Sequence, residues 1–167
     1  CSGWPRPSGG LGAPSAAGTA VLSAVVSKTA IYGFLRITLP KFPEPVDDFA
    51  GVILVLAAIG LVYGSVVAFR SPDLRGVVAY SSMTQMGLIT MGVFALDDLG
   101  LDGAVLQSVA HALISASMFL LVGTLERRCG TGELDALGGM ARGRPVLATV
   151  VLVAGMIALA VPGSVTF

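Results

Sequence analysis

The sequence is short of charge. Only 12% of its 167 residues are acidic or basic, ten of each sign, for a formal net charge of zero. A domain that faces water carries about 25% charged residues, so this chain cannot cover a soluble surface. The even balance of signs excludes a nucleic-acid binder, which needs a basic excess to neutralise phosphates. Its 54% hydrophobic content excludes an acidic disordered tail. Cysteine is scarce as well: Cys1 and Cys129 are too few for a disulfide framework and lack the CxxC spacing and nearby histidines of a zinc site. The sequence has no Gly-rich phosphate loop after a strand, no HExxH and no paired carboxylates at membrane depth. Chemistry in such a chain is therefore transport rather than covalent catalysis. No secretory signal is legible in CSGWPRPSGGLGAPS, which has one arginine, three prolines and no apolar core. Internal repeats, low-complexity tracts and heptads are lacking too.

What remains is long apolar runs. A bilayer core about 30 Å thick needs roughly 20 mainly apolar residues per helical span, and five stretches meet or approach that length: about 15–37, 49–69, 72–96, 102–124 and 144–161. The expected fold is all-α, a polytopic membrane bundle of about five transmembrane helices. The first span is expected to stop at Pro40 and the following KFPEP. The third is expected to start at Ser71-Pro72-Asp73, with Ser71 as cap, a proline in the first turn and an acid at the positive dipole end. Between spans four and five, ERRCGTGELDALGGMARG is too polar to span and reads as an interfacial loop with one short amphipathic turn. Glycines inside the spans, such as Gly51, Gly60, Gly64, Gly87 and Gly92, let neighbouring helices approach closely and predict tight packing.

Lys and Arg placement sets the expected orientation. Arg6, Arg70, Arg75, Arg127, Arg128, Arg142 and Arg144 fall on one face if all five spans cross, against Arg36 and Lys41 on the other. Seven bases against two predict a cytoplasmic N-terminal side. The chain starts at Cys1 and stops at Phe167 within an apolar stretch, which predicts a fragment.

The informative residues are ionisable ones at depth. Lys28 lies about thirteen residues into the first span, roughly 20 Å deep at 1.5 Å per residue. A charged lysine there costs at least about 2.5–3.5 kcal/mol, so it must be paired, hydrated or neutral. It is too central to reach the interface by snorkelling. The alternative to a proton- or ion-handling role is a silent pair with a carboxylate on another helix. His111, the sole histidine, shares one helical face with Gln107 and Ser115 at i, i+4, i+8, with Ser108 beside them. A buried histidine is often a hydrogen-bonded packing residue, but the polar stripe points to a hydrated path on which imidazole exchanges protons near neutral pH. Ser81, Ser82 and Gln85 form a second polar face on the third span, as interhelical glue or as the lining of a water chain. Pro162-Gly163-Ser164 marks either the end of the fifth span or a break at depth.

Four segments in order, SKTAIYGFLRITLPKFPEP at 27–45, DLRGVVAYSSMTQMG at 73–87, GAVLQSVAHALISASMFLLVG at 103–123, and ERRCGTGELDALGGMARGRP followed by VPGSVTF, resemble the antiporter-like membrane subunits of respiratory NADH-quinone oxidoreductase (complex I), nearest to the subunit M type. The resemblance runs from about residue 20 to the end and leaves 1–14 unmatched. It implies a partial proton-translocating subunit, coupled to quinone reduction in distant subunits, in which Lys28 matches the central lysine, His111 a relaying histidine, and Pro162 and Gly163 a discontinuous last helix. Gln107, Ser115 and Gln85 complete the expected proton path. The resemblance further implies that this chain holds no redox site or cofactor, that NADH, flavin, iron-sulfur clusters and quinone belong to partner subunits, and that its surroundings are other membrane subunits, lipid, protons and water, in a bacterial plasma membrane. Arg75-Gly76 replaces the family's usual Lys-Arg, and Gln85 stands where subunit M often has His. Gln85 occurs in sister subunits and in Mrp-type cation/proton antiporters, so a subunit of such an antiporter is one alternative. An inert scaffold whose polar residues only hold helices together is another.

Overall fold

Apolar side chains fill every stretch of this chain long enough to form a helix, and a backbone among apolar side chains in a bilayer must satisfy its own hydrogen bonds. Helices follow. The computed structural model describes residues 16–137 and 145–158. Among them we distinguish α1 (residues 16–41), α2 (Pro43–Arg70), α3 (Leu74–Phe94), α4 (Asp98–Cys129) and α5 (Pro145–Ala158), with a single 3₁₀ turn at Leu134–Leu137. Leu22–Lys41 within α1, and α2, α3 and α4, are each long and apolar enough to cross a membrane. The fifth is a shorter apolar helix over its described residues. The expected all-α polytopic membrane bundle is the fold found, and no strand occurs among the described residues.

The spans differ from expectation at their ends, each for a local reason. Helix α1 does not stop at Pro40 but runs through it to Lys41. The widened π turn at Phe34–Thr38 comes immediately before. Proline removes one N–H and crowds the preceding turn, and a widened turn absorbs that mismatch. Only Phe42, at φ −132° and ψ 57°, interrupts the helical chain before α2 begins on Pro43, where a missing N–H costs nothing. The second span therefore starts six residues earlier than position 49, inside KFPEP. Helix α3 is capped by Asp73 rather than Ser71: the Asp73 carboxylate accepts from Gly76 N at 2.9 Å. Helix α4 is longer than 102–124 at both ends. Asp97 caps its start by accepting from Gly100 N at 2.5 Å, and Gly130, at φ 73°, closes its end by donating to Glu126 O at 2.8 Å.

Short loops make α1 to α4 run alternately up and down. Arg70, Arg75, Arg127 and Arg128 thus collect at one end of the bundle, and Lys41, Asp97 and Asp98 at the other. At the basic end Arg75 bonds the Glu126 carboxylate across α3 and α4. The loop after α4 folds back over the start of α3: Leu74 N donates to Gly132 O at 3.0 Å and Leu134 N to Pro72 O at 2.9 Å. Close helix approach is visible at Gly92, where an added Cβ would lie 3.0 Å from Gly100 O and 3.2 Å from the Ala104 methyl. At Gly87 it would lie 3.1 Å from Ala57 O. Gly64, Gly87 and Gly92 are thus contact points between helices, whereas Gly51 and Gly60, expected to be so as well, have no neighbour within 4 Å of an added Cβ because that side of α2 faces away from the other described helices.

Packing of α1 to α4 divides into layers. Toward the acidic end, Ile31, Val46, Ala50, Ile89, Val93, Phe94 and Ala104 form a buried apolar cluster, with the Phe34 and Phe94 rings edge to face at 5.2 Å. Toward the basic end, Ala20, Val78, Phe119 and Val122 form a second. Large apolar side chains on the outside, from Phe49, Val52, Val55 and Leu56 to Tyr63 on α2 and Val105, Val109 and Leu113 on α4, face away from the described residues.

Candidate functional site

Between the two apolar clusters every facing helix presents polar side chains. On α1, Ser23, Ser27 and Lys28 lie between Ala20 and Ile31; on α3, Ser82 and Gln85 lie between Val78 and Ile89. On α4, Gln107, His111 and Ser115 lie between Ala104 and Phe119. The alternation is the helical period carried through three helices at one height, so residues four apart stack and residues eleven apart change layer.

The Lys28 ammonium is held by its own helix. Its Nζ donates to the Ser23 carbonyl at 2.8 Å and to Ser27 Oγ at 3.2 Å. Ser27 Oγ donates to the same carbonyl at 2.5 Å. Ser23 sits in a second π turn, Leu22–Val26, immediately before Ser27. Such turns offer carbonyls that a regular ladder would occupy, and a positive group at depth needs acceptors of this kind. No carboxylate bonds Lys28, so the silent-pair alternative finds no support among the described residues.

From Ser23 a row of hydroxyls crosses the bundle. Ser23 Oγ lies 2.6 Å from Ser115 Oγ on α4, and Ser115 Oγ lies 3.2 Å from Ser82 Oγ on α3. Ser115 is 2% exposed, so these partners are what its hydroxyl has. One turn along α4 is His111, 6% exposed, whose Nε2 is buried and has no hydrogen-bond partner among the described residues. A buried polar atom left alone is a costly arrangement, and His111 is one of the residues that line a cavity. The cavity, of about 40 Å³, is lined by Ser81, Ser82, Gln85, His111 and Ser115 on its polar side and by Val78, Ile114, Met118 and, from α5, Ala158 on its apolar side. Since one water occupies about 10–15 Å³ by this measure, the cavity has room for two or three, with hydroxyls, amide and imidazole to bind them. Gln85, one of the lining residues, accepts from Gln107 Nε2 at 2.8 Å.

Lys28, His111, Gln107, Ser115 and Gln85 therefore converge in one layer. Ser81 and Ser108 play smaller parts: Ser81 is exposed and donates to Val78 O at 2.9 Å, and Ser108 donates to Ala104 O at 2.7 Å, each within its own helix. Ser23 is the functional candidate that sequence reasoning passes over. A single hydroxyl in an apolar run reads as glue, and the only signal for it is its place five residues before Lys28. Pro162 and Gly163 lie outside the described residues. Among the described residues no group of His, Cys, Asp and Glu is placed to hold a metal ion.

Such an assembly, a polytopic bundle of apolar helices with a polar, ionisable layer between two apolar ones, defines a multi-pass membrane protein. A family model described as NADH:quinone oxidoreductase/Mrp antiporter, transmembrane, matches residues 10–167, and the chain belongs to that family. The match begins within the 1–14 segment for which the sequence showed no resemblance. The chain is 38% identical over 150 residues to NADH-quinone oxidoreductase subunit M of Rickettsia prowazekii, covering 90% of this chain and 30% of that protein. With subunit M of Rhodobacter capsulatus it shares 38% over 168 residues, covering 98% and 33%. A chain of respiratory complex I from Thermus thermophilus with bound NADH superposes with a TM-score of 0.81 at 31% identity, over 87% of this chain and 32% of that one. The chain thus spans about a third of the length of the relatives it matches.

Proposed function

We propose that this chain forms part of a proton-translocating membrane subunit of a respiratory NADH-quinone oxidoreductase. The observation that carries the reading is the polar layer itself: an ammonium at Lys28 with carbonyl and hydroxyl acceptors, and a hydroxyl row leading from its helix to a cavity lined in part by His111, whose buried Nε2 has no partner among the described residues. The relatives named as subunit M support the assignment.

In this reading Lys28 stores a proton. Waters in the cavity take it up or deliver it, His111 accepts and releases it through Nε2, and the Gln85–Gln107 bridge and Ser115 orient the waters without changing charge. Apolar clusters on both sides keep the layer from conducting freely to either face. NADH, flavin, iron-sulfur clusters and quinone act in partner subunits, and the energy of quinone reduction reaches Lys28 as a change in a neighbouring charge. Seven bases on the N-terminal side favour a cytoplasmic position for that side, in the plasma membrane of a bacterium.

Replacing Lys28 by Ala in the full-length subunit, within its complex, is expected to abolish proton pumping driven by NADH oxidation. Unchanged pumping overturns the role given to Lys28. Gln85 favours a second reading, a subunit of an Mrp-type antiporter, which uses the same helices without electron transfer. The genes on either side of the reading frame separate the two: redox subunits support the first, small antiporter subunits the second.

A further inference from the structure

Ser23 makes two connections that no other residue of the layer makes. Its carbonyl receives the Lys28 ammonium at 2.8 Å and the Ser27 hydroxyl at 2.5 Å, while its own hydroxyl lies 2.6 Å from Ser115 Oγ on α4. The carbonyl belongs to the π turn Leu22–Val26, and the hydroxyl is the hydrogen bond that ties that turn to α4. A π turn is a strained alternative to regular helix and persists where something outside it holds it. Here the outside anchor is Ser115, itself bonded to Ser82 at 3.2 Å and one turn from His111.

We propose that Ser23 is the positioning residue of Lys28. Its hydroxyl, fixed by Ser115, sets where the π turn's carbonyl points, and that carbonyl sets where the lysine holds its proton relative to the His111 cavity. Without the hydroxyl, the turn is free to relax toward regular helix, the carbonyl turns back into the backbone ladder, and the ammonium loses its fixed place. Ser23 does not itself pass the proton to Lys28: the bond to the lysine is through a carbonyl, which has no hydrogen to give. The inference rests on the proton-carrying reading of Lys28 given above.

The test uses the full-length subunit in its assembled complex, reconstituted in vesicles, with protons moved per NADH oxidised as the readout and subunit content of the membrane measured alongside. Ser23→Ala and Ser115→Ala are each expected to lower pumping by about three- to tenfold, the effect of one lost hydrogen bond, at normal subunit content. Ser23→Thr, which keeps a hydroxyl, restores it, and the double variant is no worse than Ser115→Ala alone because both act through one bond. A Ser23→Ala complex that pumps normally overturns the proposal, as does equal damage from Ser23→Thr. If Ser23→Ala fails to assemble, Ser115→Ala carries the same expectation; failure of both to assemble overturns positioning in favour of a purely structural role. Lys28→Ala is run in parallel: normal pumping there sinks the proton-carrying reading itself, whereas loss of pumping there with a normal Ser23→Ala sinks only the role of Ser23.

Discussion

Two neighbouring layers of this bundle, which share α1, α3 and α4, differ in nearly every physical respect. The layer of Ile31, Ile89, Val93, Phe94 and Ala104 is apolar and closely packed, with Val93, Phe94 and Ile89 at most 1% exposed. One to two turns away, the layer of Lys28, Ser23, Ser82, Gln85, Gln107, His111 and Ser115 holds a cavity, a hydroxyl row and an unpartnered imidazole nitrogen. The same helices, loops and glycine contacts hold both, so the fold does not require the second layer to be polar. An apolar filling would pack at least as well, since a bilayer protein gains little from polar contacts at depth. The contrast separates what keeps the bundle together from what the proposed function uses.

Breaking the apolar layer should damage the fold and leave the chemistry. Phe94→Ala removes the edge-to-face partner of Phe34 and is expected to cost about 3–5 kcal/mol. That cost is seen as loss of assembled subunit from the membrane, while the complexes that do assemble keep their protons moved per NADH. Breaking the polar layer should do the reverse. His111→Leu fills the site with a side chain of similar bulk and removes the proton acceptor. Pumping is expected to fall by about a hundredfold or more, the usual loss when a positioned proton-transfer group is deleted, with subunit content unchanged.

The contrast is also one of wetness, and cysteine scanning reads it directly. In a background lacking the native thiols, Ser82→Cys on the cavity wall is expected to react with a small water-borne thiol reagent, and Val93→Cys, about three turns along the same helix, to stay unlabelled. Equal reactivity would mean that the two layers do not differ in hydration. The smallest effect belongs to neither layer. Arg75 and Glu126 pair at the basic end with side chains 28% and 21% exposed, so Arg75→Gln is expected to cost about 1 kcal/mol or less, read as a slight shift in thermal stability with pumping intact.

Much of this was legible in the chain. The helical period alone puts Gln107, His111 and Ser115 on one face, and hydropathy alone exposes Lys28 as out of place. What it did not reveal is what depends on partners. Gln85 and Gln107 are 22 positions apart, and their bond exists only because α3 and α4 pack antiparallel at that height. Ser23 is invisible for the same reason, since its significance lies in Ser115, 92 positions on. The helix ends slipped where a local rule met a stronger one. Pro40 breaks an ordinary ladder but not one widened just before it, and Asp73, a better-placed acceptor than Ser71, took the cap of α3.

The central claim, that the polar layer and not its apolar neighbour carries the function, is tested most directly on one helix. Lys28 and Ile31 are less than one turn apart on α1 and belong to different layers. Proton pumping per NADH oxidised should be measured in the assembled complex bearing Lys28→Ala and in one bearing Ile31→Val, a change small enough to leave the packing standing. The account predicts that the first loses pumping and the second keeps it. If both pump normally, or both fail alike, the polar layer has no role that the apolar one lacks, and the account is wrong.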